Sequence, residues 1–309
     1  MCGIAGILKF NSPVTLDDIQ AVKRMMDAQV HRGPDDSGLF HDEHIVIGHR
    51  RLSIIDLSYL GHQPMMNEAC PEYGRGNENI CITYNGEICN FLEIRRELEI
   101  LGYKFRSNSD TEVILKAYQE WGEESFKRLI GMFSFCILDK QLNCIYLVRD
   151  HAGIKPLYYH LSKEGLVFAP EVKAFRAFDK NWEEESTWET YFLIFGHIPE
   201  PFTTLRSVFM LPKGSFLKLD LRSRNYKIEK YAEMTFSEDI KGLEEATERV
   251  RIEFTHAIER HLISDAPLGV FLSGGIDSSL VALVAHQFKK DNLRTLSVVF
   301  REKEFSEDN

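Results

Sequence analysis

Cys2 sits where one residue can supply both a nucleophile and its base. The chain opens MCGIAGIL, and a small second residue permits removal of Met1. Cys2 would then carry a thiol and a free α-amino group on the same carbon. The thiol titrates near about 8.5 and the amine near about 7.7–8.0, so the amine can take the thiol proton close to neutral pH. The resulting thiolate attacks carbonyl carbons. The same run also reads as a small-residue strand in which Cys2 is simply buried.

A second stretch with chemistry is SGGIDSS, Ser273 to Ser279. An apolar run precedes it and a helical pattern follows. Gly274 and Gly275 let the backbone turn tightly and aim its N–H groups at a phosphate. The start of the next helix adds positive dipole. The spacing fits neither a Walker loop nor GxGxxG. It resembles the pyrophosphate loop of the ATP pyrophosphatase group, which splits ATP to AMP and pyrophosphate. That resemblance implies that Ser273, Gly274, Gly275 and Ser278 hold pyrophosphate and that Asp277 helps hold Mg²⁺. It also puts Leu272 and Val298, at two strand ends, near adenine.

These residues need elements to position them. Short β-like runs dominate the first two-thirds of the chain: GIAGILKF, HIVIGHRRLSIID, ICITYNGEI, GMFSFCILD, NCIYLVRD and GLVFA. Between them, apolar spacing from Leu16 to Val30 predicts a helix. Asn90 with Glu93, and Ser109 with Glu112, read as capping boxes opening two more. Strands grouped with separate helices indicate an α+β layered domain. From about residue 235 the character changes. A charged helical segment, Ser237 to Ile263, leads into PLGVFLSGGIDSSLVALVAHQFKK and LRTLSVVF, one βαβ unit. Two domains are expected, 1–235 and 236–309.

Composition narrows the function. The 309 residues carry a net charge of −10, with no Lys/Arg-rich tract, which argues against nucleic acid as the main partner. No apolar run approaches membrane-spanning length and no secretory leader pattern opens the chain. The six cysteines (Cys2, Cys70, Cys81, Cys89, Cys136, Cys144) form no CxxC. A reducing cytoplasm is expected, with neither a disulfide framework nor structural zinc.

Further stretches share one known pattern: HRGPDD (31–36), RRLSIID (50–56), GHQPM (61–65), YNGEICN (84–90), SDTEVIL (109–115), GMFSF (131–135) and RDHAGIKPLYY (149–159). With MCGI they resemble the class II glutamine amidotransferases. With SGGIDSS behind them, the chain resembles the glutamine-hydrolysing asparagine synthetases over residues 2 to 300. The resemblance implies an αββα amino-terminal-nucleophile domain followed by an incomplete, Rossmann-like parallel-sheet domain. It implies glutamine, ATP and aspartate as substrates, Mg²⁺ as cofactor, and a possible homodimer.

The same resemblance assigns roles. Cys2 attacks the glutamine side-chain amide, and its α-amino group moves the proton. Asn85 (side chain) and Gly86 (backbone N–H) stabilise the oxyanion. Arg51 grips the α-carboxylate, Glu87 and Asp110 hold the α-ammonium, and Leu52, Ser53, Ile54 and Ile55 line the pocket with backbone. HRGPD belongs to the pocket wall. Taken singly, Asn85-Gly86 reads as a hairpin turn, Arg51 as a surface arginine and Asp110 as an N-cap.

Three positions depart from the family pattern. Cys89 replaces a usual Tyr and could add a thiol near the site. Pro170 replaces a Ser, and Lys213 replaces a Pro. These weaken aspartate as the acceptor and leave open a different carboxylate. Residues 236–309 are also too few for a complete doubly wound domain. The acceptor pocket and later magnesium ligands would lie downstream, so the residues given would retain at most glutaminase chemistry. A free glutaminase or an inactive binding partner is the remaining alternative.

Overall fold

The computed structural model describes residues 1–67, 79–233, 235–237 and 239–300. It divides into two compact units, Met1–Glu233 and Met234–Asn309. Among the described residues, the first unit runs β1 (Gly3–Lys9), α1 (Leu16–Asp27), β2 (Asp36–His41), β3 (Ile45–Arg51), β4 (Met65–Met66) and β5 (Ile80–Ile88). Then come α2 (Phe91–Ile100), α3 (Asp110–Trp121), α4 (Ser125–Arg128), β6 (Gly131–Asp139), β7 (Cys144–Arg149), β8 (Tyr158–Leu161) and β9 (Gly165–Ala169). It closes with α5 (Val172–Phe178), α6 (Trp188–Phe195), β10 (Phe209–Met210), β11 (Ser215–Asp220) and β12 (Tyr226–Lys230).

These strands form two antiparallel sheets, in the orders β10-β8-β9-β1-β3-β2 and β12-β11-β7-β6-β5-β4. Side-chain alternation along β1 shows how they stack. Ile4 and Leu8 pack with Cys81, Cys136, Leu138, Ile145 and Leu147 of the second sheet. Ala5 and Ile7 point the other way, onto Val22, Met25 and Met26 of α1 and Phe175 of α5. Behind the second sheet, Tyr118 of α3 and Phe126 of α4 stack in an aromatic cluster with Phe135, Tyr146 and Phe216. The central strands of both sheets, β1, β3, β9 and β5, β6, β7, are therefore buried on both faces, the reason they read as nearly continuous apolar runs. Cys136 and Cys144 lie buried in β6 and β7.

Helix starts differ from the sequence reading. The capping box is at α1, where Thr15 accepts from the Asp18 N–H and Asp18 accepts from the Thr15 N–H. Asn90 makes no cap. Its amide donates to the Arg128 carbonyl (2.9 Å), and its oxygen accepts from the Ile130 N–H (2.8 Å), tying down the approach to β6. Ser109 does cap α3, accepting from the Thr111 N–H. Glu112 does not complete a box. It folds back onto the Arg106 and Ser107 N–H groups and the Ser107 hydroxyl. Helix α1 also stops at Asp27 rather than running to Val30.

The second unit contains α7 (Leu243–His261), β13 (Gly269–Phe271), α8 (Ile276–Lys289) and β14 (Arg294–Leu296). Glu244 and Glu245 open α7, and Arg260 and His261 close it, the arrangement its dipole favours. Strands β13 and β14 pair in parallel across α8, so the expected strand–turn–helix–strand order is present. No helix among the described residues is long and apolar enough to cross a membrane.

Candidate active site

Cys2 lies just before β1, and β1 pairs with β3, whose last residue is Arg51. This pairing brings the thiol onto the segment that leaves β3. The Leu52 N–H points at the Cys2 sulfur from 3.4 Å, and the Leu52 carbonyl lies 3.7 Å from it. The sulfur opens onto a pocket whose wall includes Met1, Arg51, Leu52, Ile54, Ile55, Gly86, Glu87 and Asp110. Burial pushes the Cys2 thiol up from its ordinary value, with the Leu52 hydrogen bond working against it. Burial lowers the amine of the chain terminus.

Arg51 is buried, contrary to its reading as a surface residue. Its guanidinium donates to the carbonyls of Ser58 (2.9 Å), Ile55 (3.4 Å) and Asp56. The absent side chain of Gly61 makes room, since a Cβ there would collide with the guanidinium. Asp110 is buried at the first position of α3 and is not its N-cap. Its Oδ2 accepts from the Tyr84 hydroxyl (2.7 Å) and the Ile88 N–H (3.0 Å). Burial nevertheless outweighs these bonds and raises its pKa to about 6.

Asn85 and Gly86 form no hairpin turn. They lie within β5, opposite Ser134 and Phe133 of β6. A Cβ on Gly86 would strike the Met132 carbonyl and the Phe133 backbone, so the neighbouring strand requires this glycine. Gly86 lines the pocket, whereas Asn85 does not. The Asn85 amide donates to the Ser134 hydroxyl at 3.4 Å, and its oxygen has no partner among the described residues. Ser134 in turn donates to the Pro156 carbonyl at 3.2 Å. Its hydroxyl is thus left to accept from the Asn85 NH₂, which orients that amide.

Two expected wall segments stand behind the pocket instead. Ser53 does not line it, because its N–H is held by Asp35 at 2.8 Å. HRGPD does not line it either. Arg32 from that motif donates to the Cys2 carbonyl (2.9 Å) and pairs with Glu171 (2.9 Å). His31 is exposed and also meets Glu171. Both segments brace the nucleophile from outside. Cys89 is buried and away from the pocket wall. Cys70 lies outside the described residues.

In the second unit, the SGGIDSS turn joins β13 to α8. Gly274 takes φ +78°, which favours glycine. Gly275 is the N-cap of the 14-residue α8, and Asp277 lies exposed in its first turn. The Ser278 hydroxyl accepts from the Ser273 N–H (3.2 Å) and donates to the Gly275 carbonyl (3.1 Å). Leu272 bonds to the Leu296 carbonyl (2.8 Å), and Val298 is exposed beyond β14. No group of three potential metal ligands occurs among the described residues.

A family model described as glutamine amidotransferase domain matches residues 1–232. The chain belongs to this glutamine amidotransferase family. A second model, described as asparagine synthase, matches residues 249–309. Asparagine synthetase [glutamine-hydrolyzing] 1 of Bacillus subtilis is 38% identical over 99% of this chain and 47% of its own length. Putative asparagine synthetase [glutamine-hydrolyzing] 2 of Methanocaldococcus jannaschii is 36% identical over 98% of this chain and 60% of its own. The chain therefore spans only about half the length of such relatives. A solved structure of glutamine phosphoribosylpyrophosphate amidotransferase from B. subtilis shares the fold. It has a TM-score of 0.55 and 16% identity, over 97% of this chain and 67% of that one. The four-layer α+β fold of this amidotransferase unit, with a second α/β unit after it, agrees with the sequence expectation.

Sequence reasoning gave no role to Gln63, Tyr84, Thr111 and Lys155, which also line the pocket. Lys155 was visible inside RDHAGIKPLYY. Its burial was not, since lysine is almost never fully buried without a partner.

Proposed function

We propose that this chain carries the glutaminase part of a glutamine-dependent asparagine synthetase, with the beginning of its ATP-using part. The observation that supports this best is the Cys2 sulfur, set against the Leu52 N–H in a pocket that also holds Arg51, Glu87 and Asp110. Those groups suit a substrate with one carboxylate, one ammonium and an amide to be cleaved.

The chemistry runs from this arrangement. Removal of Met1 frees the α-amino group of Cys2, which takes the thiol proton. Cys2 sulfur bonds to the amide carbon of glutamine, and the carbonyl electron pair moves to oxygen. The Gly86 N–H stabilises that oxyanion from the pocket wall, and the Asn85 NH₂, which in the structure donates to Ser134 behind that wall, is the second donor that the resemblance implies; losing one such donor typically costs on the order of 10²–10³ in rate. The amine returns its proton to the leaving nitrogen, ammonia departs, and water releases glutamate from the thioester. Arg51 uses three of its five N–H groups on carbonyls, which leaves donors for the α-carboxylate. Glu87 and Asp110 take the α-ammonium.

The second unit would receive ATP at SGGIDSS. The N–H groups at the start of α8 and the bend at Gly274 suit a pyrophosphate. Asp277 alone would supply a carboxylate to Mg²⁺. One or two carboxylates with phosphate oxygens and waters make an ordinary magnesium site, so the residues present fit the ion together with the nucleotide. Aspartate would be activated as an adenylate and amidated by the ammonia, in the part of the relatives' length that residues 1–309 do not span. The free thiols at Cys2, Cys81, Cys89, Cys136 and Cys144 suit the reducing cytoplasm.

The first experiment is glutamate release from glutamine by this chain, with Cys2→Ala alongside. Release that vanishes in the variant supports the reading; equal release from both overturns it. Pyrophosphate formation from ATP and aspartate, in a chain as long as the relatives, tests the ligase half.

A further inference from the structure

Lys155 belongs to the Cys2 pocket, and its backbone is pinned on both sides. Its N–H donates to Asp150 Oδ2 at 2.9 Å, and its carbonyl accepts from Arg149 Nε at 3.0 Å. Asp150 is fully buried and also collects the N–H groups of Phe133, Ala152 and Ile154. Arg149 is buried too, and it reaches the carbonyls of Gly153 and Leu211 at 2.7 Å each. Gly153 makes the bend at φ +72°. Two buried charges and a left-handed turn thus fix the point from which this side chain leaves.

The side chain goes to the pocket. Lys155 is 4% exposed and lines the same wall as Cys2, Met1, Gly86 and Glu87. Among the described residues no group makes an ion pair or hydrogen bond with its ammonium. The two arginines near the thiol are already engaged: Arg51 by three carbonyls, Arg32 by the Cys2 carbonyl and Glu171. A lysine so held and left unpaired carries a desolvation cost with no structural return. The return comes when negative charge appears beside it.

We infer that Lys155 is the electrostatic partner of the Cys2 sulfur and of the oxyanion formed on attack. It forms no bond and keeps its proton throughout; the thiol proton goes to the Cys2 amine as described above. The role rests on the proposed glutaminase chemistry, and it extends that chemistry to a residue outside the Asn85–Gly86 donors. Burial lowers the Lys155 ammonium while Glu87 and Cys2 raise it. Cys2 is faced by the terminal amine, Arg51 and Asp110, with Tyr84 beneath. Lys155 is faced by Glu87, Arg32 and Asp150. Of these charged groups, the neutral variants below remove only the lysine.

The test measures alkylation of Cys2 by iodoacetamide against pH, located by peptide mass, with Cys2→Ala as background for the other thiols. Lys155→Met should move the midpoint up by about one pH unit, the low end for losing a near opposite charge. Lys155→Arg should leave it nearly in place. Glutamate release should follow, with kcat falling on the order of 10-fold or more near neutral pH and KM changing less. An unmoved midpoint in Lys155→Met overturns the inference, whatever happens to KM. Lys155→Gln is the second neutral variant should Met disturb folding, checked by circular dichroism. If wild type releases no glutamate, the proposed function fails, yet the alkylation midpoints still decide the role of Lys155.

Discussion

The Tyr84 hydroxyl donates to the Asp110 carboxylate at 2.7 Å, joining β5 to the first turn of α3 beneath the pocket. Asp110 is 4% exposed and titrates at about 6 instead of 3.8. Between those two values the folded chain holds a proton that the unfolded chain has lost. Stability therefore falls as pH rises from 3.8 to about 6, and the penalty is constant above. Two pKa units correspond to about 3 kcal/mol.

Asp110→Asn removes that penalty while keeping an acceptor for Tyr84. The variant should be more stable by about 1–3 kcal/mol at pH 8 and nearly unchanged at pH 4. It should also bind glutamine poorly, because the α-ammonium loses a carboxylate. Urea denaturation at both pH values and KM for glutamine check this. A gain of equal size at pH 4 and pH 8 would remove the titration of Asp110 as its cause.

The terminal amine offers a second prediction. A chain carrying an uncleaved extension before Met1 has an amide where the proposed base should be. Glutamate release should drop by about 10²–10⁴, the usual contribution of a positioned base. Thermal unfolding should hardly move, since Met1 is half exposed. Release that survives with mass spectrometry showing the extension intact would exclude the Cys2 amine as base.

The layers of the first unit were legible because its central strands are buried on both faces and so stand out as apolar runs. Helix α3 was legible through Ser109 and the apolar residues after it. What the sequence hid were competitions for a single polar group. Asn90 was free in principle to cap α2, but the Arg128 carbonyl and Ile130 N–H claimed it. Asp35 and Arg32 looked like wall residues until Ser53 and the Cys2 carbonyl took them. The Asn-Gly pair at 85–86 has the local chemistry of a turn, and only pairing with β6 along the whole of β5 makes it strand. Such outcomes depend on partners 18 to 139 residues away, which local patterning does not encode.

His49 supplies a stability prediction of opposite sign to Asp110. It is fully buried in β3, with Nδ1 on the Thr83 hydroxyl at 3.0 Å. Burial lowers its pKa from 6.5 to about 3. The unfolded chain therefore takes a proton that the folded chain refuses as pH falls below 6.5. Stability should drop by up to about 1.4 kcal/mol per pH unit toward pH 3. Asp110 opposes this between pH 6 and 4, so the effect is cleanest in the Asp110→Asn background. There, His49→Gln should flatten the acid limb of the unfolding midpoint. An acid limb of unchanged slope would mean that His49 does not set it.

Gly61 and Gly86 make a matched pair, because a new methyl meets different material at each. At Gly86 the obstacle is backbone: the Met132 carbonyl, and the Phe133 Cα at 2.7 Å. Gly86→Ala must part β5 from β6, and overpacking of that kind costs about 1–3 kcal/mol. It should also displace the N–H proposed for the oxyanion, so kcat should fall along with stability. At Gly61 the obstacle is the tip of the Arg51 side chain. Gly61→Ala can be accommodated by swinging the guanidinium off its three carbonyls. Its main kinetic effect should be a higher KM for glutamine with kcat nearly kept, alongside a loss of stability as those buried, charged hydrogen bonds are given up. Measuring both constants and both midpoints separates a displaced strand from a displaced arginine. A Gly61→Ala enzyme with normal KM would remove Arg51 from the carboxylate site.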